Sequence, residues 1–365
     1  MNLYLKKENL RILITGGAGF IGGCLVRRLL STSKAKIFNL DKISYTSDLS
    51  FINNYKNKKN HFHLNYDISN PQETNEALKK SDPDIIFHLA AESHVDRSID
   101  NPKPFIESNI LGTFNILESA RNHWNNLDKK RKKSFRLIHI STDEVFGSLG
   151  KVGKFSENTK YDPRSPYSAS KAASDHLTSA WFHTYKMPII ITNCSNNFGP
   201  FQFPDKLIPL VITKGLNNLR IPVYGNGENI RDWLFVEDHI DALLLVSKKG
   251  SIGKSYCIGG NCEKTNLEIV ESITNLLDKK LKKEFSHKDL ITFVKDRPGH
   301  DKRYAINFEN IKKELKWKPN HSFEEGLSKT VDWYLDNQNW VKAMQHKSGY
   351  KGDRLGLPKT LTKED

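Results

Sequence analysis

Leu10-Arg11-Ile12-Leu13-Ile14-Thr15-Gly16-Gly17-Ala18-Gly19-Phe20-Ile21-Gly22 is the stretch whose reading decides the fold. A short apolar run stops at a cluster of glycines, and Leu25, Val26, Leu29 and Leu30 then recur at helical spacing. The segment therefore reads as strand, tight turn and helix. Glycines at 16, 19 and 22 let the backbone approach a pyrophosphate and let the helix pack close to a sheet, while the helix N-terminus faces the phosphate charge. A glycine loop alone is a weak signal; its place between a strand and a helix is what points to a dinucleotide.

The next apolar run, Ile37-Phe38-Asn39-Leu40, ends at Asp41, nineteen residues beyond Gly22. An acid at that distance binds the hydroxyls of an adenosine ribose and repels a 2′-phosphate, which favours NAD over NADP. Phe62-His63-Leu64 followed by Asp67-Ile68 reads as a third strand and a loop able to flank an adenine. A fourth strand, Ile85 to Leu89, opens into Ala90-Ala91-Glu92-Ser93-His94, where small residues again permit close backbone approach. His88 and His94 have a catalytic reading and a plainer one, as a satisfied core histidine and a loop residue. Helix-like spacing at Phe105, Phe114, Ile116 and Leu117 leads to a fifth apolar run, Leu137 to Ile140. This alternation of helices with near-continuous apolar strands predicts an α/β fold with a doubly wound parallel sheet.

The fifth strand opens on Ser141-Thr142-Asp143-Glu144-Val145-Phe146-Gly147. A hydroxyl and two adjacent carboxyls thus sit at the carboxyl end of a strand, where ligands of such sheets lie. The same acids also read as solvated loop residues or a helix cap. Downstream, Tyr167-Ser168-Ala169-Ser170-Lys171 starts a helix running to about Lys186, and residues i and i+4 share a helix face. An ammonium beside a phenol lowers its pKa and makes it a workable base, although the spacing also arises by chance.

A sixth strand, Ile189 to Asn193, ends in Cys194 to Pro200, after which Pro, Gly and aromatic residues become frequent and the alternation fades. Residues 1–196 are expected to form an NAD-binding Rossmann domain, and residues 197–365 a smaller, mainly substrate-binding domain with room for interleaving with the first. Lys206, Arg231 and Arg297, with His300 close by in sequence, are cations suited to a diphosphate; surface ion pairing is the plainer reading of each.

Composition is ordinary for a globular chain, with 37% hydrophobic and 10% aromatic residues. The charge of +14 is concentrated in runs such as Lys129-Lys130-Arg131-Lys132-Lys133 and Lys279-Lys280-Leu281-Lys282-Lys283. Without interleaved aromatics or a nucleic-acid module these read as solvated surface, and no nucleic-acid partner is expected. Cys24, Cys194, Cys257 and Cys262 have neither a C-x-x-C spacing nor histidines at ligand spacing, so no disulfide framework and no metal are expected. Met1 to Arg11 lacks an apolar signal core and no run approaches the roughly 18 apolar residues of a membrane span. A cytoplasmic protein with no membrane partner is predicted.

Thr15 to Gly22, Asp41 and the Tyr167/Lys171 pair together resemble the extended short-chain dehydrogenase/reductases that act on nucleotide sugars. Ala90 to Ser98, Ser141 to Gly147, Arg164 to Lys171, Thr192 to Pro200, Asn229-Ile230-Arg231-Asp232-Trp233 and Asp296 to His300 narrow the resemblance to the dTDP-glucose 4,6-dehydratases, over about Leu10 to Asn337. The Thr142-Asp143-Glu144 triplet separates these from the similar 4-epimerases. Three features depart from the pattern: ten residues before the first strand, Phe146 where Tyr is common, and a basic tail after Trp340.

The resemblance implies that dTDP-glucose is oxidised at C4, loses water across C5 and C6, and regains the hydride at C6. Tyr167 would take the 4-hydroxyl proton with Lys171 tuning the phenol, Thr142 would bond the 4-oxygen, Glu144 would remove the C5 proton and Asp143 would protonate the departing 6-hydroxyl. Such an elimination needs one carboxylate and one carboxyl, and adjacent acids in a closed site have separated pKa values. NAD contacts are implied at Gly16, Gly19, Phe20, Ile21, Gly22, Asp41, Lys42, Asp67, Ile68, Leu89, Ala91, Ser108, Tyr167, Lys171 and Asn197. Substrate contacts are implied at Ser93, Thr142, Asn196, Lys206, Leu207, Pro222, Tyr224, Arg231, Asn266, Arg297, His300 and Tyr304. A homodimer is expected through the helices near Pro104 to Trp124 and Ser168 to Lys186, because Trp181 and Phe182 exceed what one sheet face requires. The rival readings are a UDP-glucose 4,6-dehydratase or another nucleotide-sugar enzyme of the same fold, and a non-catalytic NAD-binding sensor. The sensor reading expects loss of Tyr167, Lys171 or the paired acids, and all are present.

Overall fold

Parallel pairing of seven short, mostly apolar strands builds the main layer of the computed structural model, which describes residues 10–296, 299–350 and 352. The strands are β1 (Arg11–Thr15), β2 (Lys36–Leu40), β3 (His61–Leu64), β4 (Ile85–His88), β5 (Arg136–Thr142), β6 (Ile189–Cys194) and, much later in the chain, β10 (Ser255–Ile258). Their order across the sheet is β10-β6-β5-β4-β1-β2-β3. Every residue of β4 and β6 is buried, as expected of strands covered by helices on both faces. The order reverses direction between β1 and β4, and a ligand cleft belongs at such a switch point, beyond the strands' carboxyl ends.

Helix starts follow local chemistry. The helix Pro166–Tyr185 has Pro at its first position and a capping box in which Ser165 and Ser168 satisfy each other's backbone N–H groups. Thr265 with Glu268 opens the helix Asn266–Leu281 in the same way, and Ser322 with Glu325 opens Phe323–Asp336. The basic run at 129–133 lies in a short helix, Lys129–Ser134, capped by Asp128. Lys129, Lys130 and Lys133 are exposed, but Arg131 turns inward and pairs with Asp82 and Asp84 at 2.9 and 2.8 Å.

Beyond residue 197 the chain does not simply leave the first layer. The helix Val236–Lys249 packs against the helix Phe20–Thr32, where Arg28 pairs with Asp241, and β10 then joins the sheet beside β6. The remaining segments form a second body: β7 (Asn196–Phe198), β9 (Ile230–Phe235) and β11 (Glu263–Thr265) make one small sheet, and β8 (Ile221–Tyr224) pairs in parallel with β12 (Ile291–Val294). Its core gathers Phe198, Trp233, Phe235, Ile269, Ile273, Phe323 and Leu327. Among the described residues no helix is long and apolar enough to cross a membrane, and no three potential ligands converge as a metal site.

Candidate active site

The glycine turn after β1 forms one wall of a cleft. Gly16 has a φ of +73°, and a Cβ there would lie 2.8 Å from the Ala90 backbone; a Cβ on Gly22 would collide with the Gly16 carbonyl. These positions set the close approach of turn, helix and β4. The helix Phe20–Thr32 begins at Gly19 with no side-chain cap and no acid in its first turn, so its N-terminal amide dipoles suit a diphosphate. That uncapped helix end, at the mouth of a cleft closed by glycines, fits NAD.

Asp41 stands at the tip of β2. One carboxylate oxygen accepts from Ala18 N at 3.0 Å, and the other from Ile43 N at 2.9 Å and the Ser47 hydroxyl at 3.1 Å. With about four acceptor positions on a carboxylate, roughly one remains for a ribose hydroxyl. Lys42 lies 3.3 Å from Asp67, whose carboxyl is held low, against burial, by the Ser69 backbone N–H and by Lys42. Gly16, Gly19, Phe20, Ile21, Gly22, Asp41, Lys42, Ile68, Leu89, Ala91, Ser108 and Asn197 all line the cleft, whereas Asp67 stands behind Lys42.

The same cleft continues to the tip of β5. Asp143 is 1% exposed; one of its oxygens accepts from the Thr142 hydroxyl at 3.3 Å, and the other has no partner. Burial pushes its carboxyl well up, and the neighbouring charges of Glu144 and Asp232 add to the rise. A carboxyl in that setting stays protonated and can donate. Ser195 Oγ and Asn196 Oδ1 are also buried without partners among the described residues, and both residues line the cleft. Three unsatisfied buried polar atoms around one cavity mark a place for a polar ligand.

Tyr167, in the first turn of its helix, faces the same cavity. Burial raises its phenol well above the ordinary value, and the charge of Glu144 raises it further. The hydroxyl of Thr142 favours the ionised form of the phenol. Here the structure differs from the expectation that Lys171 holds the phenol low. The Lys171 ammonium donates to the Ile140 carbonyl at 2.8 Å, and its own pKa is lowered by burial, with Asp175 opposing. Asp175, one turn further along, accepts from Ser141 Oγ at 2.7 Å, Tyr161 OH at 2.8 Å and Asn193 Nδ2 at 3.2 Å, with His139 Nε2 at 3.0 Å. It thereby ties the helix to the tips of β5 and β6.

His88 takes the plainer of its two readings: its ring nitrogens lie 2.8 and 3.0 Å from the hydroxyls of Thr15 and Thr113. His94 pairs with buried Asp205 at 3.3 Å. Two residues that shape this region belong to no sequence motif. Asn109, in the π-helical turn Ile106–Leu111, donates to Ser170 Oγ at 2.8 Å and accepts from Glu92 N at 2.8 Å. Tyr45 lines the cleft from the loop after β2; only its place just beyond the ribose acid hints at this.

The expected substrate residues fall into three groups. Ser93, Thr142, Asn196 and Lys206 line the cleft, with Lys206 Nζ donating to the Ser93 carbonyl at 3.0 Å. Arg231 stacks 4.2 Å over the Tyr304 ring, and both reach the triplet electrostatically: Arg231 favours the ionised form of Asp143, and the charge of Glu144 raises the phenol of Tyr304 behind the larger effect of burial. Leu207 instead packs into the second core. Pro222 and Tyr224 sit on β8, the Tyr224 ring meets His300 edge-on at 6.4 Å, and Asn266 starts its helix with its N–H on the Asn229 carbonyl. None of these last five lines the cleft of this structure, and Arg297 lies outside the described residues.

A family model described as GDP-mannose 4,6 dehydratase matches residues 13–330. The chain is 51% identical over 348 residues to a probable dTDP-glucose 4,6-dehydratase of Sinorhizobium fredii, covering 95% of this chain and 99% of that protein. It is similar to the solved dTDP-glucose 4,6-dehydratase of Bacillus anthracis in complex with NAD, at 42% identity and a TM-score of 0.81 over 92% of this chain and 99% of that one. For the Streptomyces venezuelae dTDP-glucose 4,6-dehydratase, also with NAD bound, the values are 36% and 0.84, over 92% and 100%.

Proposed function

The chain belongs to the GDP-mannose 4,6 dehydratase family and, within it, to the dTDP-glucose 4,6-dehydratases, and from that premise we propose that it converts dTDP-glucose to dTDP-4-keto-6-deoxyglucose with NAD as its cofactor. The observation that carries this reading is Asp143: a buried carboxyl, pushed towards its protonated form, with one oxygen free beside Glu144, in the cleft that the glycine turn also lines.

Bound NAD supplies an acceptor for the hydride of sugar C4 and returns that hydride to C6. Tyr167 takes the proton of the 4-hydroxyl, and Thr142 holds the 4-oxygen. The new ketone acidifies the C5 proton, which Glu144 removes and gives back to C5 when the hydride reaches C6. Asp143 gives its proton to the 6-hydroxyl, which departs as water. One acid must be ionised and the other not, and the raised pKa of Asp143 supports this division. The cofactor is assigned to Gly16, Gly19, Phe20, Ile21, Gly22, Asp41, Lys42, Ile68, Leu89, Ala91, Ser108 and Asn197, and the sugar nucleotide to Ser93, Asn196, Lys206, Arg231 and Tyr304.

Incubation with dTDP-glucose and with UDP-glucose, followed by mass and NMR analysis, tests the proposal. A product lighter by one water, with a 4-ketone and a 6-methyl, is expected from dTDP-glucose. A C4 epimer, or turnover of UDP-glucose alone, would assign the chain to one of the rival activities.

We further infer a homodimer. Ile106, Leu111, Phe114 and Tyr185 are 42–50% exposed along neighbouring helices, an apolar face of the kind that pairing buries. A monomeric mass by light scattering at micromolar concentration would refute it. A cytoplasmic setting is inferred from four free cysteines.

A further inference from the structure

The helix Gln338–Ser348 lies outside the catalytic machinery, yet it reaches back to the loop that follows Asp41. Trp340 Nε1 donates to Asp48 Oδ2 at 2.9 Å, and Lys347 Nζ donates to the Ser47 carbonyl at 2.8 Å. Ser47 in turn donates its hydroxyl to Asp41, and Asp48 N returns to the Ala18 carbonyl in the glycine turn at 2.8 Å. Two hydrogen bonds therefore separate the C-terminal helix from the acid beside the cofactor.

Apolar contacts run in parallel. Met344 and Tyr350 are buried with Phe203 in a small cluster against which Tyr45 and Trp340 pack. Phe203 meets Tyr45 edge-on at 5.7 Å, and Arg97 covers the Tyr45 ring at 4.4 Å. Ser44, Tyr45, Thr46 and Ser47 all line the cleft. The loop also contains Ile43 at a φ of +55°, a conformation that β-branched residues resist and that surrounding contacts must enforce.

We propose that the helix Gln338–Ser348 is a strap holding the 43–48 loop across the adenosine end of the cofactor site, with Trp340 and Lys347 as positioning residues that slow NAD release. The inference rests on the proposed NAD-dependent function and on Asp41 facing the ribose. A cofactor that is reduced and then oxidised again within one turnover has no reason to leave, so a strap that retards its escape serves this reaction.

The test uses the full chain loaded with NAD, timing release by exchange against excess isotopically labelled NAD. Lys347→Met, which keeps much of the apolar stem, and Trp340→Phe, which keeps the ring and loses the N–H, are each expected to speed release about tenfold, the equivalent of one hydrogen bond. Lys347→Arg restores a donor and should return release towards the wild-type rate. The KM for NAD should rise more than kcat falls. Release at the wild-type rate in both loss variants, or a fall in kcat with KM unmoved, overturns the strap. A wild-type chain that takes up no NAD overturns both the strap and the cofactor reading, whereas one that holds NAD, shows the expected release rates and makes no keto-sugar leaves the strap standing and removes the substrate assignment.

Discussion

The tip of β5 and the first turn of the helix Pro166–Tyr185 bury two acids of very different strength in one cavity. Asp143 and Tyr167 are both raised, first by burial and then by the charge of Glu144. For Asp143 this is an advantage, since a proton donor must hold its proton. For Tyr167 it is an obstacle, since a base must be able to lose its proton before it can take another. One environment thus prepares the elimination and hinders the oxidation. In the proposed reaction the same burial favours the protonated form of the acid and disfavours the phenolate of the base.

The sharpest way to break this contrast is to separate the steps. Tyr167→Phe should abolish the NADH signal on adding dTDP-glucose, a loss of about 10³-fold or more, because the 4-hydroxyl proton has no acceptor. Glu144→Gln should still form NADH but yield little keto-deoxy product. An undiminished NADH signal in the first variant, or normal dehydration in the second, would break the assignment of roles.

Asp143→Asn comes next. Its amide still bonds the 6-oxygen but has no acidic proton, so elimination should slow about 10²-fold while C4 oxidation continues, as stopped-flow absorbance and product analysis would report.

A subtler test sharpens the shared influence of Glu144. Removing its charge stabilises phenolate, so the pKa of Tyr167 falls and the rise of C4 oxidation with pH should move to lower pH in Glu144→Gln. A profile that stays in place would mean that burial alone sets the phenol.

The smallest effect concerns stability. In the folded protein Asp143 ionises well above the ordinary 3.8, so as pH rises past that value the unfolded chain loses a proton that the folded one keeps. Folding stability therefore declines over that range. Asp143→Asn lacks the decline and should be more stable at pH 7, with the difference fading towards pH 3. Thermal melts at the two pH values check the sign.

What the sequence made legible follows the strength of local signals. The strand-glycine-helix unit, the acid after β2, and the buried strands up to β6 announce themselves through periodicity and glycine spacing, and the alternation carried the fold class. Ser255-Tyr256-Cys257-Ile258 does not announce itself: four residues, too short to show a period, become the edge strand β10 only by pairing with β6, some sixty residues earlier. The lining of the cleft was legible wherever a motif names a residue, as with Asp143, Glu144, Tyr167 and Lys171, which the fold brings to one cavity. It was opaque where a role depends on what lies across the cavity. Tyr45 becomes a wall residue and Asn109 a bridge between Glu92 and Ser170 through tertiary contacts alone, and the direction of the Tyr167 shift depends on burial that helix spacing does not encode.

The late arrival of β10 has a consequence for biosynthesis. A ribosome delivering this chain from its N-terminus releases six strands of the main sheet and must then pass some sixty further residues before the seventh is available. Until then β6 presents an unpaired hydrogen-bonding edge, an open template for association with another nascent chain. The helix Val236–Lys249 and β10 close that risk together, so folding is committed only near residue 258, and residues 1–196 expressed alone would carry the exposed edge permanently.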